Sequence, residues 1–417
     1  MLNPPSSHPG RHPARVVRRR SVFYFSGFDP QGASHYHALY RDEALKQSQT
    51  SGLQMEVGPR QKTPLGNTFW NVVAQTPEGA VHTRYEFLQW DDIVRRHWPK
   101  NQARLLWDVV ATTWLNLRSG ALLGMFKLAW PPAVALFSPF LLLGAVVLGG
   151  PLLAAGVFLA AAPALGHWAA LAAAAASAAG WVQLARMLEK KYRMHWLMRS
   201  YAFTARQAQG RVPELESRLA RHADTVLKSL EAAQADEVLL VGHSSGSTLA
   251  ASVLARVLRR ARPCAKSGGT KRPVVSLLTL GQCMPMLACL PQASGFRDDL
   301  HLLASAPGFD WIDFTAPPDG CCFALVDPLT ACGPHEAARL PDRPKLLSPK
   351  FADMFDAPDY RLLRQDKFRT HFQYLMASGK PVAYDYFAVT SGAMTLAGRF
   401  SSFPSVQGDA RFQIFPR

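Results

Sequence analysis

Acidic residues are scarce in this chain. Asp and Glu number 30 among 417 residues against 46 Lys and Arg, which leaves a formal net charge of +16. Charged residues of both signs make up only 18%, below the roughly 25% of ordinary soluble domains, while the apolar share of 48% is unexceptional. That pairing excludes a disordered polyelectrolyte and a solenoid of charged helices. Cysteine is sparse as well. Cys264, Cys283, Cys289, Cys321, Cys322 and Cys332 form no CxxC pair, so a small disulfide-stapled secreted fold is excluded and reduced thiols in a cytoplasmic setting are expected. Neither a P-loop nor a GxGxxG is present, which removes the usual sequence signs of a phosphate or dinucleotide cradle. No cofactor and no metal are expected. His35 and His37, with Tyr36 and Tyr40, are placed to line a pocket, but no carboxylate or Cys spacing supports a metal there.

The largest absence is local. From Leu128 to Ala185 there are 58 consecutive residues without Asp, Glu, Lys or Arg. A membrane span needs about 20 apolar residues, so this run holds two spans and a turn but not three spans and two turns. A buried hairpin in a soluble core would show a polar stripe, and Ala169–Ala179 (AALAAAAASAA) shows none. The run lies far from the N-terminus, and residues 1–20 are Arg- and Pro-rich with no apolar core, so a secretory leader is not the expected explanation. The turn falls either at Gly149-Gly150-Pro151 or in Pro163–His167. Arg118 and Lys127 flank the run on one side, and Arg186, Lys190, Lys191, Arg193 and Arg199 on the other. Positive flanks on both sides place both long segments in the cytoplasm, with the hairpin, spanning or re-entrant, in the cytoplasmic (inner) membrane. The lipid bilayer is the expected partner. Nucleic acid is not expected, because much of the basic excess sits in the arm and the membrane flanks.

Outside that run, strands and helices alternate. Residues 1–20 read as a disordered basic arm, 21–25 as a buried strand, 32–47 as a helix, and 68–75 with 81–88 as a hairpin around Pro77-Glu78-Gly79. Residues 91–117 and 187–209 read as helices. Pro213 opens another, with Leu215, Leu219, Val226, Leu227 and Leu230 on one face. Apolar runs at 237–241, 273–281 and 309–315 fit central parallel strands, and 263–272 reads as an exposed loop. This is the pattern of a mostly parallel sheet covered by helices. The part before the run, with two or three strands, is too thin for a whole sheet. The expected organisation is therefore an arm (1–20), one α/β domain split into 21–127 and 186–417, and the membrane hairpin (128–185) between its parts.

Gly242-His243-Ser244-Ser245-Gly246 matches G-x-S-x-G, with an apolar strand ending at Val241 and an amphipathic helix beginning at Ser245. Such a strand–turn–helix holds a Ser hydroxyl at the tip of a sheet, and the glycines are needed because the turn is tight. The N–H of Ser245, the residue after the nucleophile, is one expected donor to an oxyanion. On these residues the chain resembles the α/β-hydrolase superfamily, whose esterases and lipases often carry GHSxG. The resemblance implies Ser244 as nucleophile, an acid after a later strand, and a His last. His301 precedes the best acids and His335 follows them too closely, which leaves His371 in Phe368–Tyr374. Asp319, in the loop Ala316–Gly320 after the 310–315 strand, is the expected acid, with Asp327 its competitor. The second oxyanion donor, by the same resemblance, is the N–H of Phe28 in the loop Ser26–Pro30; the His-Gly form of that loop is absent. The implied function is a membrane-anchored serine hydrolase acting on an ester or thioester, with peptidase and acyltransferase chemistry open to the same site. The alternative is a membrane-tethered fold of the same kind that binds or scaffolds without turnover.

Overall fold

The computed structural model describes residues 16–99, 101–260, 272–333, 338–406 and 408. Among these residues nine strands form one sheet: β1 (Arg19–Phe25), β2 (Gln54–Val57), β3 (Gln61–Lys62), β4 (Thr68–Thr76), β5 (Gly79–Phe87), β6 (Glu237–His243), β7 (Val274–Leu280), β8 (Asp310–Phe314) and β9 (Lys345–Leu347). Their order is β2-β4-β5-β1-β6-β7-β8-β9, with β3 paired to β4. From β5 to β9 every pairing is parallel, whereas β2, β3 and β5 each meet β4 antiparallel. The chain is thus α/β with a mostly parallel mixed sheet. Five strands, rather than two or three, come from before the apolar run. β2 and β3 escape sequence reading because both are short and largely polar.

β1 is apolar over Val22–Phe25 and β6 over Val238–Val241 because both faces of the sheet are covered there. Val22, Tyr24, Leu239 and Val241 point to one side, where α1 (Ala33–Ser51) brings Tyr36 and Tyr40. Phe23, Phe25, Val238 and Leu240 point to the other. There they meet α9 (Pro213–Ala232), α10 (Gly246–Arg260) and α12 (Ser294–Ser305), the last reached through the short α11 (Met284–Ala288). A fully buried ion pair joins the centre: Arg20 Nε sits 2.8 Å from Glu237 Oε2, and the guanidinium also donates to the Gly392 carbonyl. The expected arm is therefore shorter than 1–20. Val17 is buried and Arg20 belongs to β1, while residues 1–15 lie outside the described residues, as do 261–271 of the expected loop.

The expected helix over 91–117 is two helices, α2 (Asp91–Arg96) and α3 (Gln102–Arg118). Pro99 has no N–H to give and pushes Trp98 out of the helical region, so the chain breaks there. Next come α4 (Ala121–Leu128) and α5 (Trp130–Gly144), a π turn at Ala145–Gly149, and α6 (Gly150–Leu165). The helical path Trp130–Leu165 is continuous and its most apolar stretch is almost wholly exposed. Gly149-Gly150-Pro151 is not the turn. The wide π turn absorbs the proline, and the two glycines accept Trp181, whose indole donates to the Ala145 carbonyl at 3.1 Å. The reversal comes at Gly166, φ +79°, within the rival Pro163–His167 segment. α7 (His167–Tyr192) then returns. Trp130–Leu165 and α7, at 36 and 26 residues, are long and apolar enough to cross a membrane. Arg193 at φ +49° separates α7 from α8 (Met194–Ala208), so 187–209 is also two pieces. At the base, Phe140 and Met194 pack on Leu105 and Val109 of α3 and Met198 of α8.

Candidate active site

β6 runs into α10 through a turn that only this spacing of glycines permits. A Cβ on Gly242 would lie 2.5 Å from Ser247 Cα, and one on Gly246 would overlap the Phe25 carbonyl oxygen on the neighbouring β1. Ser244 between them is held at φ +57°, a left-handed conformation rare for a residue with a side chain. Its N–H donates to the Leu280 carbonyl at the end of β7 (2.8 Å), and the Ser247 hydroxyl donates back to the Gly242 carbonyl (2.9 Å). The backbone is overdetermined on both sides, which is how such strain persists. The Ser244 hydroxyl lies against the Cys283 thiol, which burial pushes up to about 12 although the hydrogen bond from Ser244 offsets part of that.

Asp319 lies in the loop after β8, and His371 in α14 (Lys367–Phe372), which follows α13 (Ala357–Gln365). His371 Nδ1 and Asp319 Oδ2 are 2.8 Å apart. The same carboxylate accepts the Tyr374 hydroxyl at 3.1 Å, and its Oδ1 accepts the Cys321 N–H at 3.0 Å. Burial pushes the Asp319 carboxyl up, but the charge and hydrogen bond of His371 and the Cys321 N–H outweigh it, and the group lies below its usual value. His371 is buried and its Nε2 has no hydrogen-bond partner among the described residues. His243, the residue before Ser244, has Nε2 2.8 Å from the His371 carbonyl oxygen, and the two rings lie 5.0 Å apart. Burial, with His371 beside it, drives the His243 imidazole down to about 3, so it is neutral. Asp327 is engaged elsewhere. Its Oδ1 caps Leu329 N–H at 3.0 Å and its Oδ2 pairs with Arg339.

The loop Ser26–Pro30 does approach the elbow. A Cβ on Gly27 would stand 3.0 Å from Ser244 Cβ and 3.4 Å from its Oγ. The Phe28 N–H, however, donates to the Ser245 hydroxyl at 2.8 Å, so it is satisfied and not an open donor. The tight turn in which Asp29 N–H reaches the Gly27 carbonyl aims it there. Ser245 stands just ahead of the first residue of α10, at the positive end of that helix. The Phe28 ring stacks on Trp98 at 5.7 Å, and its carbonyl accepts the Trp196 indole N–H at 2.8 Å. Tyr36 and Tyr40 do not line this site. They pack in the core on the sheet's other face, where Tyr36 donates to Asp29 and Tyr40 meets Thr390. His37 bonds the Gly58 carbonyl oxygen.

Several site residues escape motif reading. Tyr374 shares its segment with His371, a proximity visible in the sequence, but nothing there shows that it reaches the acid. Trp196 and Tyr201 come from α8, just after the apolar hairpin. The Trp196 ring lies 6.4 Å from that of His371, and the buried Tyr201 hydroxyl has no hydrogen-bond partner among the described residues. Asp319, Cys321 and His371 each present a possible ligand atom within 4.8 Å of the others, one such group among the described residues. Burial and the neighbouring carboxylate raise the Cys321 thiol far above neutrality, which makes it a poor donor to a metal. The described cysteines are free thiols, and Cys264 and His335 lie outside the described residues. Compared with known proteins, the chain matches no protein-family model, no curated protein and no solved structure.

Proposed function

We propose that this chain is a membrane-anchored serine hydrolase of the α/β-hydrolase type, cleaving an ester or thioester through an acyl-enzyme on Ser244. One observation carries the reading: a serine strained to φ +57° at a strand tip, and a buried Asp–His pair from the loop after β8 and from α14, tied to the elbow where His243 Nε2 lies 2.8 Å from the His371 carbonyl oxygen. Ser244 follows β6, Asp319 follows β8 and His371 comes after β9, the order the resemblance requires. His371, with Nδ1 turned to Asp319, offers Nε2 as base. Ser244 Oγ attacks the acyl carbonyl as its proton passes to Nε2, and that proton then leaves with the departing alcohol or thiol. Water repeats the sequence and releases the acid. Asp319 holds the imidazole in the tautomer this needs. The apolar helices keep the site at the cytoplasmic surface of the membrane, where a lipid-like acyl substrate is concentrated.

Two observations favour a second reading, a binding or scaffold protein without turnover. The Phe28 amide is already engaged, and Ser244 and His371 are only 8% and 1% exposed. A fluorophosphonate probe separates the two. Labelling of the purified full chain is expected, abolished in Ser244→Ala, which removes the oxygen that takes the label, slowed by several orders of magnitude in His371→Ala and by roughly four orders of magnitude in Asp319→Asn. A folded wild-type chain that takes no label overturns the hydrolase reading.

A further inference from the structure

The exposed side of α3 is apolar where a helix facing water would be charged. Leu106, Trp107, Val110, Trp114 and Leu117 all face outward, Trp107 at 69% and Trp114 at 64%, while Thr112, Thr113 and Asn116 are turned inward. The charges on the outward side are Arg104 and Arg118, one near each end. At 17 residues the helix is about 26 Å long, so this is a stripe and not a spot. The stripe continues through exposed Leu123 and Trp130 into the apolar helices. Beside it, between α3 and α8, runs a groove of about 450 Å³ lined by Trp107, Arg104, Arg206 and Arg211 with Asp108. Asp108 is paired with Arg206 at 3.2 Å, and Arg206 Nε is buried without a partner among the described residues. Arg104 and Arg211 therefore face the groove as well, with no second acid lining it among the described residues.

We infer that α3 lies along the surface of an anionic phospholipid leaflet, its tryptophan face among the upper acyl chains and one headgroup in the α3–α8 groove. Tryptophans suit that depth because the ring is apolar and the indole N–H is wet. The arginines match the phosphate charge, and continuity with the hairpin favours lipid over a protein partner. The inference rests on the hairpin being in the bilayer. It adds that the domain is pressed onto the membrane by a second element, and α8, which bounds the groove, is the helix that carries Trp196 and Tyr201 to the candidate site.

The test uses the full chain in proteoliposomes of phosphatidylcholine and phosphatidylglycerol, with photoreactive p-benzoylphenylalanine in place of Trp107, Trp114 or Leu159. Leu159, on α6, reports the hairpin alone. Lipid adducts are expected at all three positions, with phosphatidylglycerol enriched over its bulk share at position 107. Arg104→Gln with Arg211→Gln should lower that enrichment by about fivefold per arginine and leave the yield at 159 unchanged. Adducts at 159 but not at 107 or 114 overturn the α3 assignment and leave the hairpin standing, as do adducts to protein at those positions. No adduct at 159 removes the hairpin from the bilayer and the inference with it. Adducts without headgroup enrichment overturn the groove.

Discussion

Asp313 and Asp319 sit six residues apart, both buried, and their surroundings drive them in opposite directions. Asp319 meets an imidazole, a phenol and a backbone N–H, which favour the charged form. Asp313, inside β8, has a bond from the Thr279 hydroxyl on one oxygen and, among the described residues, none on the other, and burial pushes it up to about 8. An unfolded chain releases that proton near pH 4. Between about pH 4 and 8 the folded chain thus holds a proton the unfolded one has lost, and stability falls as pH rises. Asp313→Asn removes that dependence. The stability of this variant relative to wild type should rise across that window by on the order of 1 kcal/mol or more, read from urea midpoints at several pH values. A difference independent of pH would mean Asp313 carries no such proton. The sequence placed Asp319 in the loop beyond a strand, as the structure does, because strand ends show as a change from apolar residues to Pro and Gly. It could not show that Asp327 is consumed by a cap and an arginine, or that the Ser245 hydroxyl takes the Phe28 amide, since both depend on side chains meeting across the fold.

At the scale of elements, the elbow was the most legible feature because its constraints are local: an apolar strand, two glycines at fixed offsets, an amphipathic helix. The glycines near it are not equivalent. Gly246→Ala drives a methyl into the β1 backbone, which cannot yield, so it should destabilise the fold by about 1–3 kcal/mol or more. Gly27→Ala meets Ser244 at 3.0 Å, a contact relieved by a shift of a few tenths of an ångström. That variant is expected to unfold within about 1 kcal/mol of wild type, yet to take the fluorophosphonate more slowly, by about tenfold, because small displacements at the proposed nucleophile are costly. Thermal unfolding and labelling rates, measured on the same samples, separate the two effects. A Gly27→Ala chain labelled at the wild-type rate would show that the loop does not shape the site. Where element reading missed, the cause was again specific. Three-residue β9 is too short for a periodic signal, and a glycine pair that looked like a turn serves a helix contact with Trp181.

For the molecule as a whole, the pairing of β1 with β6 decides the topology. The two strands are neighbours in one sheet yet lie on opposite sides of the apolar run in sequence, so a run that enters a membrane must leave it on the side where it entered. The path Trp130–Leu165 is about 54 Å long, well beyond the ~30 Å hydrocarbon core, and its first turns belong to the folded domain, with Pro132 and Ala133 buried. The domain therefore ends near Ala145, where the Trp181 indole meets the Ala145 carbonyl. Replacing residues 146–180 by a short Gly-Ser linker should remove the exposed apolar helices and keep the base in which Phe140 and Met194 pack on α3 and α8. The shortened chain is expected to unfold within about 2 kcal/mol of wild type and to take the fluorophosphonate at a similar rate. Alkaline carbonate should strip it from membranes that retain the full chain. Turnover of a soluble short-chain ester should be unchanged, while a long-chain ester presented in vesicles should turn over at least about tenfold more slowly, since a tethered site gains effective concentration of that order or more. Retention after carbonate would show that residues 146–180 are not what holds the protein in the bilayer. Equal loss on both esters would mean the hairpin supports the fold, and no loss on either would separate the chemistry from the membrane altogether.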